Sequence, residues 1–242
     1  MSPTDPQIQQ PTRVTAGLQR PEARRACSMP RLEFFRRLGL YVVPGFLAED
    51  TCRELISIIS AAPKRRGKVI AGAGASRADE TRRSVDDVKV PKELTTNVKQ
   101  SLVDLKDDLQ RHFGMPLEWG GEGPDCLLYR SGDFFKPHAD NEEYPPAPNS
   151  IINRRRVAVI LFLNRHSREY QESCFGGGLL NFYGLLDGPK WKDCAFGLEP
   201  EPGLLVAFPA GLIHEVTPIT FGERYSILTA FHAPQAPSAL TQ

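Results

Sequence analysis

The sequence predicts an α+β fold that is mainly β: a double-stranded β-helix, or jelly-roll barrel, buttressed by N-terminal helices. Three observations predict it. Helical periodicity is confined to the first half, at Cys52, Leu55, Ile56 and Ile59 and again at Leu94, Val98, Leu102, Leu105 and Leu109. From Cys126 onward, short alternating apolar runs separated by Gly, Pro, Asn and Asp take over, which is strand patterning. No internal repeat is visible, and 242 residues suit one domain with a sizeable core.

The elements follow in order. Residues 1–30 are rich in Pro, Gln, Arg and Thr and poor in apolar residues, so they read as a disordered or loosely docked tail. Residues 31–242 read as the single domain. Pro63 ends the first helix, residues 64–80 form a Gly/Ala/charge-rich loop, and residues 82–90 look like a strand. Pro91 suits the first turn of a second helix and Gly114 its stop. Trp119 and Gly120-Gly121 then supply packing and a turn before the strands begin. Two long inserts, 141–153 and 183–202, interrupt the strand region and read as surface loops, with a wall for substrate as the alternative role.

Composition excludes several classes. Lys+Arg 30 against Asp+Glu 29 gives a net charge of +1, so no global field favours nucleic acid or an anionic membrane. No apolar run is long enough to span a bilayer, and residues 1–10 lack the pattern of a secretory signal. Five Cys without paired spacing form neither a disulfide framework nor a zinc site, which fits a cytoplasmic protein. The basic runs 64–66 and 154–156 read as solvated strand ends or loops.

The chemistry lies in four residues. His138 and Asp140 are two apart, so on a strand both side chains point to one face. The run 204–208 reads as a buried strand, Pro209-Ala-Gly211 as a turn, and Leu212-Ile-His214-Glu-Val216 alternates again. On the following strand Arg224, Ser226 and Leu228 share a face. Two His and one carboxylate with open positions are the facial triad of a non-haem Fe(II) oxygenase. A guanidinium fork with a neighbouring hydroxyl suits a carboxylate. An His-x-Asp triplet alone arises by chance; the ordered set is what carries the reading. His112, His166 and His232 lack such context and read as structural, His112 near a helix C-terminus where a cation suits the dipole.

At these residues the chain resembles the prolyl 4-hydroxylase-like branch of the 2-oxoglutarate oxygenases. Tyr129, Gly132, Phe135, His138 and Asp140 are similar to the family's Tyr-x-x-Gly-x-x-aromatic-x-x-His-x-Asp strand motif. Phe175-Gly-Gly-Gly-Leu-Leu-Asn-Phe182, Pro202-Gly-Leu-Leu-Val-Ala-Phe-Pro209, His214-Glu-Val-x-Pro218 and Leu40-Tyr-Val-Val-Pro-Gly-Phe-Leu47 extend the likeness to roughly residues 38 to 233. The resemblance implies Fe(II) held by His138, Asp140 and His214, with 2-oxoglutarate and O2 as cosubstrates. Arg224 would pair with the far carboxylate of 2-oxoglutarate, helped by Ser226 and Tyr129. Ascorbate often supports such enzymes. Many collagen-type members carry Lys where this chain has Arg224. Phe162 stands where relatives often place a Tyr that helps hold 2-oxoglutarate. Asp140 argues against halogenation, because halogenating relatives replace that carboxylate.

The reaction so implied is hydroxylation of an unactivated C–H bond, with a prolyl residue of a peptide or protein as first choice. A free amino acid or natural-product small molecule is the alternative. A catalytically silent jelly-roll that binds a ligand or partner is the third reading.

Overall fold

The computed structural model describes residues 30–67, 69–71, 75–77, 81–121, 123–142, 150–191 and 193–235. The expected tail falls outside them, except that Pro30 opens a helix. In chain order the elements are α1 (Pro30–Arg37), β1 (Tyr41–Val43), α2 (Glu49–Ala61), β2 (Lys64–Arg66), β3 (Val69–Ala71), β4 (Ala75–Arg77), β5 (Arg83–Ser84) and β6 (Asp86–Val88). Two more helices follow, α3 (Lys92–Val103) and α4 (Lys106–Phe113). The remainder is β7 (Glu118–Trp119), β8 (Asp125–Arg130), β9 (Phe134–His138), β10 (Arg155–Phe162), β11 (Gly176–Gly177), β12 (Leu180–Phe182), β13 (Phe196–Leu198), β14 (Leu205–Pro209), β15 (His214–Val216), β16 (Ile219–Phe221) and β17 (Glu223–His232).

The strands form two main antiparallel sheets rather than the closed barrel expected. The larger runs β1-β14-β10-β17-β8-β6-β2, with β7 on the end of β17. The smaller runs β13-β12-β15-β9-β5. Residue parity sorts the larger sheet into two faces. Val157, Val159, Leu161, Leu205, Ala207, Tyr225, Ile227 and Phe231 share one apolar cluster with Cys52, Leu55 and Ile59 of α2, Val98 and Leu102 of α3 and Leu109 of α4. The alternate residues Ala158, Ile160, Phe162, Val206 and Phe208 cluster instead with Leu180, Phe182 and Leu198 of the smaller sheet. Burying both faces of β10 explains why 157–162 reads as an unbroken apolar run.

Several expectations are revised. Helix α1 was not expected; it packs Leu32 and Phe35 into the inter-sheet cluster, beside Phe182. The long second helix is broken at Asp104–Leu105, where the Leu105 N–H bonds to Leu102 O, one residue closer than the α-helical partner. Gly114 does end it, in a left-handed conformation at φ +65°. The loop expected over 64–80 contains β2 and a hairpin of β3 with β4. The strand expected over 82–90 divides at Val85: β5 joins the smaller sheet and β6 the larger. The insert 183–202 is not all loop, because β13 forms an edge strand on β12. Of the insert 141–153, positions 143–149 lie outside the described residues. Among the described residues, no helix is long and apolar enough to cross a membrane.

Candidate active site

Antiparallel pairing brings the two histidines together. β9 and β15 are neighbours in the smaller sheet, and His138 lies directly opposite His214 in register. Their rings sit 4.3 Å apart between centroids. Asp140 is not on the strand as expected: β9 ends at His138, and Asp140 lies in the turn beyond it. Its side chain nevertheless reaches both histidines. Asp140 Oδ1 is 3.5 Å from His138 Nε2, and Oδ2 is 3.7 Å from His214 Nε2. One donor atom from each of the three lies within 4.8 Å of the others.

The imidazoles are oriented alike. His138 Nδ1 is 2.7 Å from Lys136 O and His214 Nδ1 is 2.9 Å from Leu212 O, each two residues back. A carbonyl only accepts, so each Nδ1 carries a proton and each Nε2 faces Asp140. Burial pushes the His214 imidazolium down to about 4 against the pull of Asp140, so the ring is neutral at pH 7. Burial opposes ionisation of Asp140, but the imidazoles of His214 and His138 and the Arg155 guanidinium outweigh it and hold the carboxyl well below the usual carboxylate range. Two imidazole nitrogens and one carboxylate, gathered within reach of one another, fit a divalent iron. The walls are aromatic: Phe135 stacks on His138 at 3.5 Å and Phe208 meets His214 edge-on at 4.7 Å.

The same cavity ends in a guanidinium. His138, Asp140, His214, Tyr129, Arg224 and Ser226 all line it, with Leu127, Ile160, Val216 and Leu228 as apolar walls. Arg224 is 1 % exposed. Its Nη1 donates to Ser226 Oγ at 3.3 Å, and it lies between the Tyr129 and Phe162 rings at 4.9 and 5.0 Å. Its Nε is buried with no hydrogen-bond partner, and no acid pairs with it among the described residues. Burial pushes it down to about 10, partly offset by Tyr129. A buried cation without a counter-charge is costly. A site that accepts an anionic ligand resolves that cost, and the donors fit the far carboxylate of 2-oxoglutarate.

Sequence reasoning passed over two residues here. Asn164 clamps the strand around Arg224, donating to Glu223 O at 2.8 Å and accepting from the Tyr225 N–H at 3.0 Å. The only signal was a lone Asn at the end of an apolar run. Arg155 was read as part of a solvated basic run, yet its Nη1 donates to the Asp140 carbonyl at 3.1 Å. His112, His166 and His232 lie away from the cavity. His112 meets Gly39 O, His166 forms a lone bridge with Phe175, and His232 is buried at the end of β17.

Residues 124–232 match the family model of the 2OG-Fe(II) oxygenase superfamily, a stretch that contains every residue of this cavity from Leu127 to Leu228. A PKHD-type hydroxylase of Pseudomonas putida is 25% identical over 186 residues, covering 76% of this chain and 74% of the relative. The matched segment is similar to 2OG-Fe(II) oxygenases. Solved structures share the oxygenase fold. A Pseudomonas putida prolyl-4-hydroxylase superposes with TM-score 0.55 at 22% identity, over 84% of this chain and 97% of that one. A Trichoplax adhaerens prolyl hydroxylase in complex with a hypoxia inducible factor peptide fragment gives 0.54 at 17%, over 83% and 86%. The non-haem alpha ketoglutarate dependent epimerase SnoN of nogalamycin biosynthesis also gives 0.54, at 16%, over 86% and 88%. Oxygenases of this kind have the jelly-roll fold, and this chain shares with them two facing antiparallel sheets that are not closed into a barrel.

Proposed function

We propose that the oxygenase hydroxylates an unactivated C–H bond of a prolyl residue in a peptide or protein. The observation that carries this reading is one cavity holding both the His138–Asp140–His214 cluster and the buried, acid-free Arg224. His138, Asp140 and His214 would hold Fe(II), a two-histidine, one-carboxylate donor set that suits iron in oxygenase chemistry. Arg224 binds the far carboxylate of 2-oxoglutarate, with Ser226 and the Tyr129 hydroxyl as neighbouring donors. Burial keeps the Tyr129 phenol protonated and able to donate. When bound, Fe(II) with 2-oxoglutarate and O2 supplies the oxidising power, and succinate and CO2 are the by-products. The apolar walls from Leu127, Ile160, Val216 and Leu228 exclude water around the cosubstrate. Ascorbate supports turnover in this reading.

A peptide substrate is favoured by the likeness to prolyl hydroxylases, one of them peptide-bound. A small-molecule substrate is the second reading, favoured by the likeness to an epimerase of a biosynthetic pathway. The test is succinate formation by anaerobically Fe(II)-loaded protein given 2-oxoglutarate, ascorbate and O2, with Asp140→Ala alongside. Each is run with Pro-containing peptides and with free amino acids. Succinate from the wild type alone establishes the oxygenase, and the panel member that accelerates it identifies the substrate class. No succinate together with no Fe(II) binding would replace this reading with a silent jelly-roll binding protein.

A further inference from the structure

Asp140 lies beyond the end of β9, so strand register alone does not aim its carboxylate. Other contacts hold it. The Asp140 N–H donates to Ala210 O at 2.8 Å, and the next N–H, of Asn141, shares that carbonyl at 3.3 Å. The Ala210 N–H in turn donates to Arg156 O at 2.8 Å. The Asp140 carbonyl accepts from Arg155 Nη1 at 3.1 Å. Both the amide and the carbonyl of Asp140 therefore trace back to the first two residues of β10.

The ladder is irregular at that point. On β17, His232 and Phe231 are consecutive, but their partners on β10 are Arg155 and Val157, so Arg156 is an extra residue. Such a bulge re-aims a side chain. Without it, Arg155 would keep the phase of Val157, Val159 and Leu161, which face the helices. With it, Arg155 takes the phase of Ala158, Ile160 and Phe162, which face the smaller sheet and the cavity. The bulge thus turns a guanidinium from the apolar helix side toward the turn that carries Asp140.

We infer that Arg155, aimed by the β10 bulge, is a positioning residue that fixes the Asp140 turn and so sets the metal affinity of the His138–Asp140–His214 centre. This rests on that centre being a metal site. Arg155 does not touch the metal; it acts through the backbone of one ligand, as outer-shell partners of metal ligands do.

The test is anaerobic titration of apo-protein with Fe(II) and with Co(II) as a spectroscopic probe. Wild type is compared with Arg155→Met, Arg155→Lys, Asp140→Asn and, as a charge-matched control, the exposed Arg168→Met. Arg155→Met is expected to bind both metals roughly 10–100-fold more weakly and to alter the Co(II) visible bands at saturation. Its melting and circular dichroism should stay those of wild type. Arg155→Lys, which keeps a donor, should recover part of the affinity, and Arg168→Met should be unchanged. Wild-type affinity in a folded Arg155→Met would overturn the inference. Should that variant not fold, a folded Arg155→Lys with affinity and Co(II) bands identical to wild type would overturn it equally. A wild type that binds neither metal would instead remove the metal-site reading itself, and the inference with it.

Discussion

Asn164 grips the strand on both sides of Arg224. Its side-chain amide donates to the carbonyl of the preceding Glu223 and accepts from the N–H of the following Tyr225. The guanidinium therefore projects from a backbone segment tied to the end of β10 as well as to β8, where Arg224 lies opposite Tyr129. Asn164→Ala would leave two backbone groups unpaired in a buried place, at a cost of roughly 2–4 kcal/mol. Urea denaturation should show that loss. A several-fold rise in the KM for 2-oxoglutarate should accompany it if the clamp also aims Arg224.

Arg224 itself separates stability from binding. A buried cation without an acid destabilises the empty fold, so Arg224→Met should melt at the wild-type temperature or higher. The same substitution should abolish thermal stabilisation by 2-oxoglutarate and raise its KM by about 100-fold, in line with loss of a bidentate charge-assisted contact. A large drop in melting temperature without ligand would mark the guanidinium as structural instead.

The aromatic pair around Arg224 can be exchanged. Tyr129 and Phe162 lie on either side of it, and only one carries a hydroxyl. Tyr129→Phe should raise the KM for 2-oxoglutarate roughly 10–100-fold, the worth of one hydrogen bond to a charged group. Adding Phe162→Tyr to that variant should recover part of the loss. No recovery would mean the second hydroxyl cannot reach the same carboxylate.

Much of this site was legible because strand chemistry is periodic. Alternation along β17 puts Arg224 and Ser226 on one face, and the alternating runs around His138 and His214 mark the two strands whose pairing sets those histidines opposite each other. What was not legible depends on breaks in the pattern. Asp140 is aimed from a turn by hydrogen bonds to Ala210 and Arg155, contacts that no spacing encodes. The bulge at Arg156 inverts a phase that the sequence alone cannot reveal. Helix α1 was missed because only Leu32 and Phe35 of its eight residues bury apolar side chains, among several arginines. Conversely, Leu94 to Leu109 kept one apolar period across a real break, because the turn at Leu105 shifts the hydrogen bonds by a single residue.

Stability should fall in acid through Asp133. This carboxylate accepts from Ser84 Oγ at 2.5 Å, the Arg130 N–H at 2.8 Å and Arg66 Nη2 at 2.9 Å. Burial opposes its ionisation, but these donors outweigh burial and lower its pKa when folded. A lowered folded value means the contribution is complete above the unfolded value of about 4 and is lost as pH falls through the folded one. Asp133→Asn should flatten that acid limb in urea melts at pH 2–5. It should also cost on the order of 1–3 kcal/mol at neutral pH.

The glycine run before β12 is a backbone crossing. Gly177 has φ +67°, and a Cβ there would lie 2.1 Å from Pro218 O. Neither the conformation nor the clash with a main-chain carbonyl can relax cheaply. Gly177→Ala is expected to destabilise by more than about 2 kcal/mol, measured by chemical denaturation. A variant within 0.5 kcal/mol of wild type, roughly the range of an ordinary surface substitution, would show that the β11–β16 pairing yields freely.

The two faces of β17 set a rule for insertions and deletions. Arg224, Ser226 and Leu228 serve the cavity, while Tyr225, Ile227 and Phe231 serve the layer beneath the helices. Removing one residue from the middle of this strand would not shorten the protein locally. It would exchange the two sets downstream, sending polar groups into the helix layer and apolar ones to the cosubstrate. Length variation in homologous chains and in engineered libraries should therefore collect in the connections and be absent from residues 223–232, whatever the substrate proves to be.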